Sequence, residues 1–185
     1  MNGPKGEVVS LVEVAEGDLT KFKLDLQTSF RVAAEAECGY RLEEPIPSDA
    51  DIDLSIAAPG SMVYWVIAGG ARVGGAIVEI DHVTQRNSLA FFFVATSQQG
   101  RGVGYRAWKA IEAAHPRTKV WETVTPYFEK RNIHFYVNRC GFKIVEFYCR
   151  HNPDPHQDVS DAFEQVSDDE MFRFEKVMSS SSGLP

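Results

Sequence analysis

The chain has 185 residues, 44% of them apolar and 24% charged, which suits one soluble globular domain with a real core. No apolar run reaches membrane-spanning length, and the first residues lack the apolar core of a signal peptide. Of the 26 acids behind the net charge of −7, seven lie between His151 and Phe172, where there is no Lys or Arg; the other 19 balance the 19 bases, which argues against nonspecific nucleic-acid binding.

Residues 8–14 read as a first strand. Gly17-Asp18 then opens a long helix with Asp18 as N-cap, and Leu19, Phe22, Leu26, Phe30 and Ala33 or Ala34 mark its core-facing stripe. Gly39 can end it. Pro45, Pro47 and Pro59 frame a loop and a short helix from Ser48 or Asp49 to about Ala57. Residues 62–68 and 72–83 read as strands around a Gly69-Gly70 hairpin, and a turn at 84–87 leads into a third strand at 88–94.

The stretch after that strand is the most informative. Gly100, Gly102 and Gly104 alternate, and Val103, Ala107, Ile111 and Ala114 then recur at helical spacing. Such glycines let backbone N–H groups converge, and a helix start adds partial positive charge, so the turn suits phosphate. There is no P-loop ending. Gly102-Val103-Gly104-Tyr105-Arg106-Ala107 fits a dinucleotide fingerprint, with Glu122 twenty residues beyond Gly102. That fingerprint wants its first glycine directly after the strand, whereas Thr96 to Gly100 intervene here, and the three preceding strands are antiparallel rather than parallel.

His115-Pro116 ends the helix, and residues 119–125 form a strand parallel to 88–94 through a right-handed crossover. A helix from about 129 to 139 follows, then an antiparallel pair at 143–149 and 171–178 joined by the acidic stretch. Residues 1–178 are read as one domain and 179–185 as a disordered tail. Cys38, Cys140 and Cys149 form no framework or C-x-x-C pair, which points to a reducing, cytoplasmic setting. Cys149, His151, Asp154, His156 and Asp158 match no standard zinc spacing, so no metal is expected.

Gln99-Gly100-Arg101-Gly102-Val103-Gly104 resembles the Q/R-x-x-G-x-G/A pyrophosphate loop of the GNAT superfamily of acetyl-CoA-dependent N-acetyltransferases, and Arg131-Asn132-Ile133-His134-Phe135-Tyr136 with Gly141-Phe142 resembles that family's N…FY…GF segment. The resemblance implies an α/β fold of α+β character: a mixed, mostly antiparallel sheet of about seven strands, splayed at its centre and flanked by about four helices. It implies acetyl-CoA as cosubstrate, contacted by Phe92, Phe93 and Val94 on the strand, by Gln99, Gly100, Arg101, Gly102, Val103, Gly104 and Tyr105 in the loop, and by Asn132. The Val94 N–H is the expected oxyanion donor, Tyr136 the acid for the departing thiolate, and Glu122 the base, with Glu79 and His82 as alternatives. By the same analogy the partner is a small-molecule or peptide amine, met in a direct ternary complex, and homodimerisation through the last strands is allowed. The acidic stretch favours a cationic acceptor. Two rival readings stay open: a CoA-binding sensor or interaction domain without catalysis, and a nicotinamide-dinucleotide enzyme. Counted back from Gly141-Phe142, the segment carries one extra residue, expected after Tyr136 at the helix end.

Overall fold

The computed structural model describes residues 8–155 and 170–179. Most of the acidic stretch, with His156 and Asp158, and nearly all of the tail lie outside the described residues. Seven strands form one sheet in the order β1-β2-β3-β4-β5-β7-β6: β1 (Val9–Glu13), β2 (Ser61–Ala68), β3 (Ala71–Glu79), β4 (Arg86–Val94), β5 (Val120–Pro126), β6 (Lys143–Tyr148) and β7 (Met171–Val177). Every neighbouring pair is antiparallel except β4–β5. The helices are α1 (Leu19–Cys38), α2 (Asp49–Ala57), α3 (Val103–Ala114) and α4 (Lys130–His134).

Strand alternation sorts the core into two layers. On one face Trp65, Ile77 and Phe93 meet Phe22 and Leu26 of α1 and Ile52 of α2. On the other, Tyr64, Ala76, Val78 and Leu89 meet Trp108 and Ile111 of α3, with Trp121, Tyr136, Phe142 and Phe174 completing the layer. Most of the aromatic packing is edge-on or tilted, as ring quadrupoles favour: Trp108–Trp121 centroids lie 5.4 Å apart and Phe22–Phe93 5.5 Å apart, while Phe92 and Phe135 stack. Gly75 makes the second contact possible, since a Cβ there would fall 2.4 Å from the Phe22 ring and 2.7 Å from that of Phe93.

The hairpin forms at Gly69 and Gly70, both at positive φ (56° and 77°), as a primed turn requires. Asp18 departs from expectation. It precedes α1 but makes no capping bond; its carboxylate pairs with Arg72 at 2.7 Å, because a 3-10 turn over Glu16–Asp18 already leads the chain into the helix. Ser48 does cap α2, in a reciprocal box with Asp51.

The helix that starts at Lys130 changes pitch midway. From Phe135 to Cys140 it is π-helical, and the Phe142 N–H reaches the Tyr136 carbonyl at 3.0 Å. The wider turn takes up one more residue than an α-turn, which is how the extra residue is accommodated. Gly141 closes the turn at φ 81°.

Candidate active site

β4 and β5 pair over three residues only: Arg86 with Val120, Asn87 with Trp121 and Ser88 with Glu122. Beyond that row the Thr123 hydroxyl donates to the Leu89 carbonyl at 2.9 Å, and the strands then part. A parting in mid-sheet leaves backbone groups of β4 without a ladder partner. The Ala95 N–H bonds the Val73 carbonyl at 2.8 Å, towards β3. Alternation therefore turns the N–H and C=O of Val94, and by the same register those of Phe92, into the gap. The Gln99 side chain donates to the Val94 carbonyl at 3.3 Å, from the gap side.

A cleft of about 360 Å³ opens on the α3 side of this gap. Its floor is Phe92, Phe93 and Val94, and its rim is the glycine turn. Gly100 (φ 76°) and Gly102 (φ 71°) hold left-handed backbone, and Gly102 is the N-cap of α3. The first N–H groups of α3 have no partner within the helix and, at its N-terminus, meet the cleft. Of the cofactor residues expected from the sequence, Phe92, Phe93, Val94, Gln99, Gly100, Gly102, Val103, Gly104, Tyr105 and Asn132 line the cleft. Arg101 does not; it is exposed and its carbonyl accepts from Arg106 at 3.2 Å. Phe93 contributes main chain only, since its ring is packed against Phe22 on the opposite face.

Two cations that sequence reasoning did not single out stand at the cleft. Arg131 donates to the Gln99 side chain at 2.5 Å, and the Arg139 guanidinium lies 5.7 Å from the Tyr105 ring centroid. With Phe135 they follow an i, i+4, i+8 spacing, a signal present in the sequence but easily taken for helix amphipathicity. Both should hold a phosphorylated ligand. Arg131→Ala and Arg139→Ala should each weaken acetyl-CoA binding by up to ~10-fold, an effect that shrinks as salt rises. Titration by thermal shift at two ionic strengths checks this.

Tyr136 is buried on the cleft side of the gap, beside Thr123; burial pushes its phenol well above the usual range. Glu122 lies on the opposite face. Adjacent positions on a strand face opposite ways, so Thr123 looks towards Tyr136 while Glu122 looks towards α1 and α2. There Glu122 is ion-paired with Arg86 and with Arg173 (3.6 Å). Arg86 and Arg173 also hold Glu175, at 2.6 and 2.7 Å, and Arg173 reaches Glu146 at 3.6 Å. Glu122 is thus drawn into an ion-paired network rather than standing free at the gap as the expected base. His82, in the turn after β3, is exposed and lines neither cavity. Glu79 is half-buried in a second cavity, of about 500 Å³, on the α1–α2 side. Phe30, Phe92, Glu129, Asn132 and Tyr136 line both cavities, so the two meet through the gap.

Among the described residues no three His, Cys, Asp or Glu side chains are gathered to hold a metal. Nor is any described helix long and apolar enough to cross a membrane.

A mixed sheet parted at its parallel pair, with a bare helix start and a glycine turn beside the gap, is the architecture of an acyltransferase that draws its acyl group from a phosphorylated thiol carrier. The comparisons agree. A model of the acetyltransferase (GNAT) family matches residues 25–142. The uncharacterized protein YrkN of Bacillus subtilis (strain 168) is 48% identical over 178 residues, 94% of this chain and 96% of that one. In fold, the chain is similar to a protein described as an IAA acetyltransferase from Bacillus cereus ATCC 14579, with TM-score 0.65 and 15% identity over 92% of this chain and 99% of that one. It is also similar to a Bacillus subtilis acetyltransferase solved in complex with CoA, with TM-score 0.62 and 18% identity over 94% and 99%. The chain belongs to the acetyltransferase (GNAT) family.

Proposed function

We propose that the protein moves an acetyl group from acetyl-CoA to a primary amine by direct transfer between two substrates bound at once. The observation that carries this reading is the passage through the sheet: a cleft suited to a phosphorylated cosubstrate on one face opens onto a separate cavity on the other. The residues present fit that cosubstrate. The N–H and C=O groups of Phe92 and Val94 suit the pantetheine arm, and the α3 start with Arg131 and Arg139 suits its phosphates. The bound thioester supplies an activated acetyl carbon at the gap.

The chain supplies the rest. Phe92, like Tyr136, lines both cavities, so its gap-facing N–H, rather than that of Val94 further along β4, suits charge developing on the carbonyl oxygen. Tyr136, protonated throughout the neutral range because burial raises its phenol, gives a proton to the departing sulfur. An acyl-enzyme route finds no support. The Cys140 thiol is pushed up to about 12 by burial, is free, and lines neither cavity; Cys149, also free, lines neither. Free thiols agree with a reducing, cytoplasmic setting. A homodimer through the edge strand β6 would cover its exposed Ile144, Val145 and Phe147.

Acetyl-CoA and CoA should raise Tm while NAD(P) does not, and thiol release should depend on added amine with intersecting double-reciprocal plots. Parallel plots would indicate a covalent intermediate instead. Binding of acetyl-CoA without transfer to any amine would support a sensor.

A further inference from the structure

We propose that the acceptor is a compact amine carrying one positive charge on an apolar body, and that Glu79 seats its ammonium group and takes its proton. The proposal rests on the acetyl-transfer reading above.

The acceptor-side cavity, about 500 Å³, is of small-molecule size and is walled largely by aromatic and aliphatic groups, among them Phe30, Leu54, Phe91, Phe128 and Met171. Among the described residues its charged lining is five carboxylates and one guanidinium. The guanidinium, Arg173, is surrounded by Glu175, Glu122 and Glu146, so it has little charge to offer a carboxylate or phosphate on an acceptor. Four of the carboxylates are also engaged. Asp51 closes the capping box of α2, Glu122 is held by Arg86 and Arg173, and Glu129 and Asp154 have interactions of their own. Glu79 has neither ion pair nor side-chain hydrogen bond among the described residues, and burial raises its carboxyl above the usual range.

Its place in the sheet suits the role. Ser61, Glu79, Ser88 and Glu122 are successive cross-strand partners, so they form one row on the α1–α2 face. At ~4.8 Å per strand, Glu79 stands one strand from the last paired row of β4–β5, at the root of the gap. Tyr136 serves the other face. Base and acid thus flank the gap on the sides from which the amine arrives and the sulfur leaves. Glu79 takes a proton from the ammonium and passes it to water. The freed nitrogen lone pair attacks the thioester carbon, the C–N bond forms, and the C–S bond breaks. The sulfur leaves with the Tyr136 proton, and the second proton shed by the nitrogen restores the tyrosine. The net release is one proton to solvent. A polyamine would bring further charges into an apolar chamber with one uncommitted carboxylate, at a desolvation cost.

The test is a thiol-release panel of 2-phenylethylamine, L-phenylalanine, spermidine and a peptide with a free apolar N-terminal residue. L-Phenylalanine differs from the first amine only by a carboxylate. We expect kcat/KM for 2-phenylethylamine to exceed that of each of the others by ~10-fold or more, about 1.4 kcal/mol. Preference for spermidine, L-phenylalanine or the peptide would overturn the acceptor class while leaving acetyl transfer intact. Transfer to no amine, with acetyl-CoA bound, would overturn the transfer reading and this proposal with it. Glu79→Gln should lower kcat/KM for 2-phenylethylamine by ~10²-fold with an unaltered thermal shift by acetyl-CoA. In the native protein kcat/KM should rise with pH through a limb above the ordinary carboxylate range, because the base form is needed and burial raises its pKa. That limb should vanish in the variant; its persistence would remove Glu79 from the role.

Discussion

Tyr136→Phe should lower kcat by ~10²-fold or more while leaving acetyl-CoA affinity nearly intact. The phenol is buried at the gap and lines both cavities, so its loss would remove the proposed proton donor at the point where the cavities meet. The fold should tolerate the change. The ring keeps its edge contacts with Phe135 and Phe142, with centroids 5.4 and 5.5 Å away. The Thr123 hydroxyl remains satisfied by the Leu89 carbonyl, so no buried polar group is orphaned. Single-turnover kinetics with a saturating amine make the measurement. An unchanged rate for the chemical step would show that Tyr136 serves packing alone.

Gly104→Asp should separate binding from stability. Gly104 lines the cofactor cleft in the first turn of α3, and its backbone does not need positive φ. A Cβ there would lie 3.4 Å from the Phe135 ring and 3.8 Å from the Val94 side chain, close but tolerable contacts. The added carboxylate sits well with the helix dipole, so Tm should hold or rise slightly. The same charge occupies the place suited to phosphate and repels it. Acetyl-CoA affinity should therefore fall by ~10²-fold or more, about 3 kcal/mol, in a protein at least as stable as the parent. Calorimetric titration beside a thermal melt reads both quantities. An affinity unchanged in the folded variant would place the phosphates elsewhere.

What could be read from the chain alone was local. The apolar run before Val94, the alternating glycines and the Gly69-Gly70 turn each encode their geometry within a few residues, and the antiparallel run β2-β3-β4 with its parallel step to β5 followed from them; the place of β7 between β5 and β6 did not. The π turn was legible only as a miscount between Asn132 and Gly141; its pitch depends on what Tyr136 and Phe142 pack against. Charge partners were not legible. Asp18 reads as a cap until Arg72, 54 residues away, is brought beside it. Glu122 reads as a base until Arg86, from a strand 36 residues earlier, is laid against it. Arg101 reads as a phosphate contact by its place in the loop, yet the left-handed turns at Gly100 and Gly102 accompany an outward position for it.

The ion-paired cluster of Arg86, Glu122, Glu175 and Arg173 is centred on Glu122, in the last row where β4 and β5 still touch. In mechanical terms the parted strands are a crack in the sheet, and a crack in a cooperative hydrogen-bonded lattice tends either to heal or to run. Each of these partly exposed pairs is worth little by itself. Together they tie three strands across the crack tip, where a small resistance has the greatest leverage, and Thr123 adds a stop of its own on the Leu89 carbonyl. The length of the opening is thereby fixed before either substrate enters it.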